Sequence, residues 1–511
     1  MGADEGIGEM NRFNGAWRIV FGLTPVVACF AVLSHATTDT ETVACPPELL
    51  PVRQFVEEAV ASKDRSPGAV VMVTRKGETI WAEGFGVASL ETGTPVTPDT
   101  IFLMASVSKP IAATGLMVLV DEGRVRLDAP ANDYLPGAKL RAFAGAPEEI
   151  TVERLLSHTG GLPIHYNFYY DDSRPTMDAA IARYGYAVYP PGTRWNYSNF
   201  GFGVIEYITE IVSEDAWAKF MERRVYDPLG MKGTSDHVRR KRKADRAQPY
   251  TVDAGRRFLP VAAYDFDHRG ASAVWSSAAD LTRFLQMHLN GGELDGVRIL
   301  SAEAAARMRQ PVLKDTTYGL GWFVETHDGF GFMGHTGGMP GVSTAIAAWT
   351  DEGVTLVVLT NCDANRGLTS GVQNLVEQHL FTKKSESAPA PAEQPKPDDP
   401  KPYAGRWTGR IAHFDGDVSV TMTIAEDGTA KVSLGTNQEI PVRDVQLRKG
   451  LTGNIDGKLR VQQGYYGTPV LNFRLESQNA DRMTGTVFAA ASGYFGVSFW
   501  MELDRVTDAR N

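Results

Sequence analysis

The chain has 511 residues, of which 43% are hydrophobic and 22% charged, and this ordinary balance predicts a globular protein of two to four domains. Its formal net charge of −10 argues against nucleic acid as the main partner. Three cysteines are too few for a disulfide scaffold, and the histidines and cysteines show no metal-binding spacing. The sequence therefore indicates neither a metal nor another cofactor.

The first element in the chain is an uncharged apolar stretch at 19–33. It is shorter than the roughly 20 residues that a spanning helix needs, and Arg12 and Arg18 precede it as in a secretory signal peptide. Small residues follow at a spacing that suits cleavage, whereas the residues before Cys29 resemble a lipoprotein signal; an uncleaved membrane anchor is the third alternative. All three predict that residues 1–36 direct export to the periplasm or the cell exterior, with membrane anchoring in two of them.

A proline-rich segment divides the remaining chain into two predicted domains. Residues 384–402 contain six prolines and no aromatic residue, leucine, isoleucine or valine, which predicts a semi-extended linker. The larger domain then covers residues 46–383 and the smaller one residues 403–511. In an oxidising compartment Cys45 and Cys362 could pair, and the sequence leaves this open.

The larger domain mixes the helical and the strand periods. In chain order, the patterns predict a helix at 52–60, strands at 69–73 and 79–87, helices at 106–122, 200–225 and 278–289, strands at 341–349 and 354–361, and a helix at 368–381. Strands at both ends with helices between them predict an α+β fold, in which one antiparallel sheet has flanking helices and a separate helical region.

The smaller domain has the pattern of an all-β fold. Apolar and polar residues alternate at 418–424 and 471–476, and Asp-Gly pairs at 427–428 and 456–457 are typical of hairpin turns. About eight such strands predict a small closed antiparallel barrel.

The first candidate for chemistry is the Ser-x-x-Lys tetrad that begins at Ser106 and ends at Lys109. At the start of a predicted helix, Ser106 would have a free backbone N–H near the positive end of the helix dipole. Lys109 would lie one turn further on the same face, and a desolvated lysine can act as the base that a serine hydroxyl needs. The alternative is a serine cap followed by a surface lysine.

The second candidate is the Tyr-x-Asn motif of Tyr197 and Asn199. A tyrosine beside a cationic lysine would have its phenolate favoured and could carry a proton to and from the serine. Asn199 could hydrogen-bond a substrate amide. The alternative is a helix-start loop with a packed aromatic ring.

The third candidate is His-Thr-Gly-Gly, which occurs at 158–161 and again at 335–338. The second copy ends a segment with strand character, where glycines would let a substrate backbone approach the strand. We therefore assign His335 to the site and interpret His158 as part of a structural loop.

Taken in order, the three motifs resemble the signature of class C β-lactamases and related penicillin-recognising serine hydrolases, which include DD-carboxypeptidases, D-aminopeptidases and carboxylesterases. The segments at 155–162 and 318–322 look like further landmarks of this family, and the resemblance spans residues 50–382. It implies a β-lactamase-like fold for the larger domain. The smaller domain is similar to the lipocalin-like barrels appended to some of these hydrolases.

The resemblance also implies roles for the motif residues. Ser106 would be the nucleophile, and Lys109 and Tyr197 the acid/base pair. The backbone N–H groups of Ser106 and Gly338 would form the oxyanion hole. The residues expected to bind substrate are Asn199, His335, Thr336 and Gly337.

His335 stands where class C β-lactamases have a lysine, and this difference disfavours efficient β-lactam hydrolysis. An ordinary histidine titrates near about pH 6.5, and a cationic His335 that attracts a substrate carboxylate would lose activity above its pKa. The expected function is an exported serine hydrolase that cleaves an amide or ester in a small molecule or peptide through an acyl-serine intermediate. D-amino-acid peptidase and carboxylesterase are rival activities, and a non-catalytic penicillin-binding scaffold or a ligand-binding barrel are the alternatives.

Overall fold

The computed structural model describes residues 40–62, 66–171, 173–236, 245–381, 399–436, 438–449, 453–460, 470–491 and 495–507. The predicted export signal and most of the predicted linker lie outside these ranges. Within them, no helix is both long enough and apolar enough to cross a membrane.

Helices and strands are numbered here in chain order. The helices of the described ranges are α1 (Leu50–Ala61), α2 (Ser108–Asp121), α3 (Val152–Leu156), α4 (Met177–Tyr184), α5 (Asn199–Ser213), α6 (Trp217–Met221), α7 (Ala278–Leu289), α8 (Ala302–Met308) and α9 (Arg366–Leu380). The strands up to residue 381 are β1 (Gly68–Arg75), β2 (Glu78–Gly86), β3 (Phe102–Leu103), β4 (Arg141–Ala142), β5 (Tyr166–Tyr169), β6 (Tyr186–Ala187), β7 (Tyr250–Val252), β8 (Phe258–Pro260), β9 (Asp265–Phe266), β10 (Trp275–Ser276), β11 (Glu293–Leu294), β12 (Val297–Arg298), β13 (Phe323–His327), β14 (Phe330–Met339), β15 (Val342–Trp349) and β16 (Val354–Thr360). The later strands are β17 (Gly405–Ala412), β18 (Val418–Ile424), β19 (Ala430–Leu434), β20 (Ile440–Pro441), β21 (Arg443–Lys449), β22 (Gly453–Arg460), β23 (Val470–Asn479), β24 (Arg482–Ala491) and β25 (Phe495–Arg505).

The main sheet has six strands in the order β13-β14-β15-β16-β1-β2, and its pairings are antiparallel. Helices cover both of its faces, so its central strands β15 and β16 are buried along their whole length rather than on alternate residues. In β1, Ala69, Val71 and Val73 pack in one core with α1 and α9, whereas Val70 and Met72 pack in the larger core with α2 and α7. The predicted α+β architecture of one antiparallel sheet with flanking helices is thereby confirmed.

The helical region is built around α2, which is buried along nearly its whole length. A helix with apolar residues around most of its circumference lies inside the protein, and α2 packs against α5. The single helix predicted at 200–225 is instead divided into α5, α6 and a π-helical turn at Glu222–Tyr226. The division occurs at Glu214, whose left-handed φ of 61° ends α5.

The C-terminal strands form an antiparallel sheet in the order β20-β19-β18-β17-β25-β24-β23-β22-β21. Its alternating strands bury one face, as the sequence predicts for β18 and β23, around Trp407, Met422 and Leu475. The two strands at the ends of this order, β20 and β21, are separated in the chain only by Val442. No pairing among the described residues joins the two ends directly, so the closed lipocalin-like barrel stays a prediction.

The C-terminal sheet contacts the helical region. Strand β25 pairs with β5 through Gly496 and Tyr166, and the Tyr186 hydroxyl donates to Ser498 O at 2.7 Å. Phe143 stacks on Trp500 with ring centroids 5.5 Å apart. The domain boundaries at 46–383 and 403–511 stay predictions. Both of the described cysteines, at 45 and 362, carry free thiols, so the disulfide that the sequence left open is not formed.

Candidate active site

Ser106 lies in the short 3-10 helix Ala105–Val107, which leads directly into α2. Ala105, the residue before it, has a φ of 50°, in a left-handed region that side-chain-bearing residues seldom adopt. The neighbouring backbone is held at Met104, whose N–H donates to Val274 O at 2.8 Å and whose carbonyl accepts from Thr344 Oγ1 at 2.8 Å. The turn is thus fixed from two sides, with Ser106 only half-buried.

Lys109 is fully buried, one helical turn after Ser106. Its Nζ lies 3.1 Å from Ser106 Oγ, 2.7 Å from Asn199 Oδ1 and 3.2 Å from Ala271 O. Burial holds the pKa of Lys109 well below its usual value, which favours the neutral amine. A neutral amine donates to the two carbonyl-type oxygens, and its lone pair is then left facing the serine hydroxyl.

Tyr197 completes the immediate surroundings of the serine. Its hydroxyl lies close enough to that of Ser106 to interact with it, and Lys109 Nζ lies 4.6 Å from the centroid of its ring. Burial raises the pKa of the Tyr197 phenol above its usual value, so the phenol keeps its proton. The expectation that a cationic lysine favours a Tyr197 phenolate is therefore wrong for the resting site, because burial lowers the pKa of Lys109 and raises that of Tyr197.

Asn199 is the first residue of α5, which Ser198 caps by accepting from Gly201 N–H at 3.2 Å. Both polar atoms of the Asn199 side chain are hydrogen-bonded, since Oδ1 accepts from Lys109 and Nδ2 donates to His165 O at 2.7 Å. The contact that the structure shows for Asn199 is therefore with Lys109. The predicted contact with a substrate amide stays a prediction.

His335 lies on β14 and is buried. Its Nδ1 is 2.7 Å from Thr336 O, which can only accept, so the proton is on Nδ1 and Nε2 accepts from the Tyr318 hydroxyl at 3.0 Å. Burial, followed by the proximity of Lys109, lowers the pKa of His335 to about 3. The expectation of a cationic His335 that titrates near neutral pH is wrong, because the imidazole has no access to water.

Strand β14 presents alternate residues to the site. His335 and Gly337 are buried, whereas Thr336 and Gly338 are exposed. A Cβ on Gly337 would lie 2.3 Å from Met104 O, so the strand touches the turn that carries Ser106 and only glycine fits there. This approach places Gly338 near the serine turn, and its assignment to the oxyanion hole stays a prediction.

Comparison with known proteins agrees with this geometry. The β-lactamase family model matches residues 52–377. The chain belongs to the β-lactamase family. It is 31% identical to penicillin-binding protein 4 of Amycolatopsis lactamdurans over 68% of this chain and 95% of that protein, and 29% identical to esterase EstB of Burkholderia gladioli over 53% and 75%. A class C β-lactamase from Rhodobacter sphaeroides has the same fold, with a TM-score of 0.53 and 24% identity over 64% of this chain and 99% of that one.

The resemblance inferred from the three motifs is thus confirmed at the level of the β-lactamase family. His158, interpreted from the sequence as a loop residue, lies against the site of this family member. Its Nδ1 accepts from Ser198 N–H at 3.1 Å, and its ring centroid lies 4.3 Å from that of Tyr197 and 4.7 Å from that of Tyr318. The His158 ring packs against the ring of Tyr197. The backbone of His158 is in a left-handed conformation with a φ of 59°.

A buried group of three side chains was missed by sequence reasoning. The candidate ligand atoms of His165, Asp267 and His268 lie within 4.8 Å of one another. Two imidazoles and a carboxylate are a donor set that could hold a metal ion, but here the imidazole nitrogens hydrogen-bond the carboxylate directly. No spacing rule could have revealed the group, because His165 and Asp267 are 102 residues apart.

Proposed function

We propose that this chain is a serine hydrolase that cleaves an ester or amide through an acyl-Ser106 intermediate. The observation that carries the proposal is the 3.1 Å separation between Ser106 Oγ and the buried Nζ of Lys109. The neutral amine takes the hydroxyl proton while Oγ forms a bond to the substrate carbonyl carbon, and the carbonyl oxygen becomes an oxyanion. The bond between the carbonyl carbon and the leaving group then breaks, and Tyr197 donates its phenol proton to the leaving group and takes the proton held by Lys109. Water then hydrolyses the acyl ester and restores Ser106.

The uncharged imidazole of His335 favours substrates without a carboxylate beside the scissile ester or amide bond. At the position where class C β-lactamases have a lysine, this chain has a buried, neutral imidazole whose two nitrogens are both hydrogen-bonded. It supplies no cation to pair with a carboxylate beside the scissile bond. A carboxylesterase or amidase that accepts uncharged acyl compounds is therefore favoured, in keeping with the similarity to esterase EstB. A D-amino-acid peptidase is the second candidate, supported by the similarity to penicillin-binding protein 4.

The test is to label the purified protein with a fluorophosphonate and to map the adduct by mass spectrometry. Wild type is expected to carry one adduct on Ser106, and Ser106→Ala none. Ser108→Ala is a matched control, because Ser108 lies in the same tetrad but its hydroxyl accepts from Val274 N–H at 3.1 Å. A Ser106→Ala protein with full turnover, or a wild type that neither labels nor turns over, would refute the proposal; the second result would point to a non-catalytic scaffold.

Turnover of matched compounds distinguishes the candidate substrates. Short acyl esters and D-amino-acid amides lack a free carboxylate, whereas D-alanyl-D-alanine and a chromogenic cephalosporin carry one. We expect kcat/KM to be higher for the uncharged compounds. A preference for the carboxylate-bearing compounds would contradict the role given to His335.

We also propose that the chain is exported and that residues 403–511 close into a lipocalin-like barrel. Export is supported by the apolar stretch at 19–33 with its preceding arginines. Closure is supported by the single residue that separates β20 from β21 at the two ends of the strand order. N-terminal sequencing of the natural protein is expected to begin at Cys29 or near Thr37, and an intact Met1 on a cytoplasmic pool would contradict export.

A further inference from the structure

The two acceptors that orient Lys109 lie on different parts of the chain. Asn199 Oδ1 is one of them, and its amide is held in turn by His165 O at 2.7 Å. Ala271 O is the other, and it belongs to the 3-10 helix Arg269–Ala271, in which Ala271 N–H donates to His268 O at 3.0 Å. The positions of both acceptors therefore depend on the backbone at His165 and His268.

Asp267 joins these two backbone segments. Both of its carboxylate oxygens lie 3.0 Å from His165 Nε2, and Oδ1 lies 2.8 Å from His268 Nδ1. All three side chains are buried, and the Tyr169 hydroxyl donates to the same carboxylate at 3.3 Å. Although burial alone would raise the pKa of Asp267, the charge and hydrogen bonds of His165, with those of His268, hold it below its usual range. The carboxylate is therefore an anion at neutral pH and a firm acceptor for both imidazoles.

We propose that Asp267 is a positioning residue of the acyl-transfer reaction, which clamps His165 to His268 and so fixes both acceptors that aim Lys109 Nζ at Ser106. The inference rests on the proposed function. Asp267 touches neither the serine nor the lysine, and it acts through the backbone carbonyl of His165 and the turn after His268. Because a misplacement of about 1 Å can cost about 100-fold in rate, loosening either acceptor should slow acylation.

Asp267→Asn tests the clamp, because it keeps the side-chain volume but removes the negative charge and leaves one acceptor oxygen in place of two. We expect the second-order rate of Ser106 labelling to fall about tenfold or more, with kcat affected more than KM. The acidic limb of the pH profile of kcat/KM should move to lower pH. A lysine ammonium needs three acceptors and a neutral amine only two, so loss of fixed acceptors disfavours the charged form.

Asp280→Asn is the matched control for the loss of a buried carboxylate. Asp280 accepts from Gly233 N–H at 2.7 Å and from Thr234 Oγ1 at 2.8 Å, and among the described residues neither partner contacts Lys109. It should lower the melting temperature without moving the labelling rate or the pH profile. If Asp267→Asn does not fold, a pair at His165 replaces it: His165→Gln keeps a donor at the position of Nε2 and should retain the rate, whereas His165→Leu should not.

The outcomes separate this inference from the proposed function. If wild type labels at Ser106 but Asp267→Asn labels equally fast with an unchanged pH profile, the clamp is refuted and the hydrolase stands. An equal loss of rate in Asp280→Asn, or in His165→Gln and His165→Leu alike, would also refute it. Stoichiometric metal in the purified full-length protein would refute it as well, since the carboxylate would then be a metal ligand. Failure of wild type to label at all would refute the proposed function instead.

Discussion

Gly337 is the point at which β14 comes closest to the turn that carries Ser106, and Gly337→Ala should displace the strand. A Cβ there would lie 2.3 Å from Met104 O, 2.4 Å from Thr344 Oγ1 and 3.1 Å from Ala105 Cβ. The Met104 oxygen is backbone, and Thr344 Oγ1 donates to that same carbonyl at 2.8 Å. Neither atom can rotate away without breaking this bond, so the strand itself must retreat.

The size of the effect follows from these distances. Real Cβ atoms do not approach other atoms within 3.0 Å, so β14 must retreat from Met104 by about 0.7 Å or more. Gly338 is the next residue and would move with it. Donors in an oxyanion hole act at about 2.7–3.1 Å, and removing one costs about 10²–10³-fold in kcat. We therefore expect Gly337→Ala to lower kcat/KM roughly 100-fold, with a loss of stability of about 1–3 kcal/mol from overpacking.

The assay is the hydrolysis of a chromogenic acyl ester, with thermal unfolding measured on the same samples. Gly331→Ala is the matched control on the same strand, since the atom nearest to its new Cβ is Thr350 Oγ1 at 2.6 Å, at the end of a side chain on the protein surface. It should lose little activity. A folded Gly337→Ala protein with kcat/KM within twofold of wild type, or an equal loss in Gly331→Ala, would refute the assignment of this strand to the oxyanion hole.

Three further predictions concern protonation and domain contacts. Because the pKa of His335 is lowered to about 3, wild type and His335→Asn should have pH profiles of the same shape between pH 5 and 8, and an inflection near 6.5 that the variant loses would contradict this. Burial also lowers the pKa of His288 to about 3, so the unfolded chain binds a proton below about pH 6.5 that the folded chain does not. The free energy of unfolding should therefore decrease by about 1.4 kcal/mol per pH unit as pH falls from 6.5 toward 3. This decrease should be absent in His288→Gln, as thermal unfolding at several pH values would show. Protease cleavage within 384–402 should leave two pieces that co-elute in size-exclusion chromatography, because β25 pairs with β5 and Tyr186 bonds Ser498; separate elution would count against these contacts.

The sequence predicts best those helices and strands whose pattern of apolar residues follows directly from which of their faces are buried. The strands predicted at 69–73 and 354–361 are rich in apolar residues because helices cover both faces of the sheet, and the helix predicted at 278–289 has the bounds of α7. The break after α5 was missed, because Glu214 adopts a left-handed conformation that its residue type does not announce. The two-residue strands such as β3 and β10 pair only through tertiary contacts, which no local pattern contains.

The site contains some contacts that local sequence spacing predicts and others between residues far apart in the chain. Ser106 and Lys109 are three residues apart, and helical spacing alone brings them together. The partners Asn199 and Ala271 lie 90 and 162 residues from Lys109 and required the fold or a known motif. Protonation states could not be predicted, because they depend on how completely Lys109, Tyr197 and His335 are removed from water.

The buried basic groups around Ser106 all have lowered pKa values. Burial lowers the pKa of Lys109, and it does the same for His158 and His335, whose pKa values Lys109 lowers further. Burial therefore disfavours the charged form of each of these groups in the resting site. In the proposed reaction, Ser106 transfers its proton to Lys109 as it attacks, so a cation appears at the moment when the oxyanion forms. Charge stabilisation that exists only in the transition state raises kcat without tightening substrate binding, so a resting site in which burial disfavours cations suits the proposed reaction.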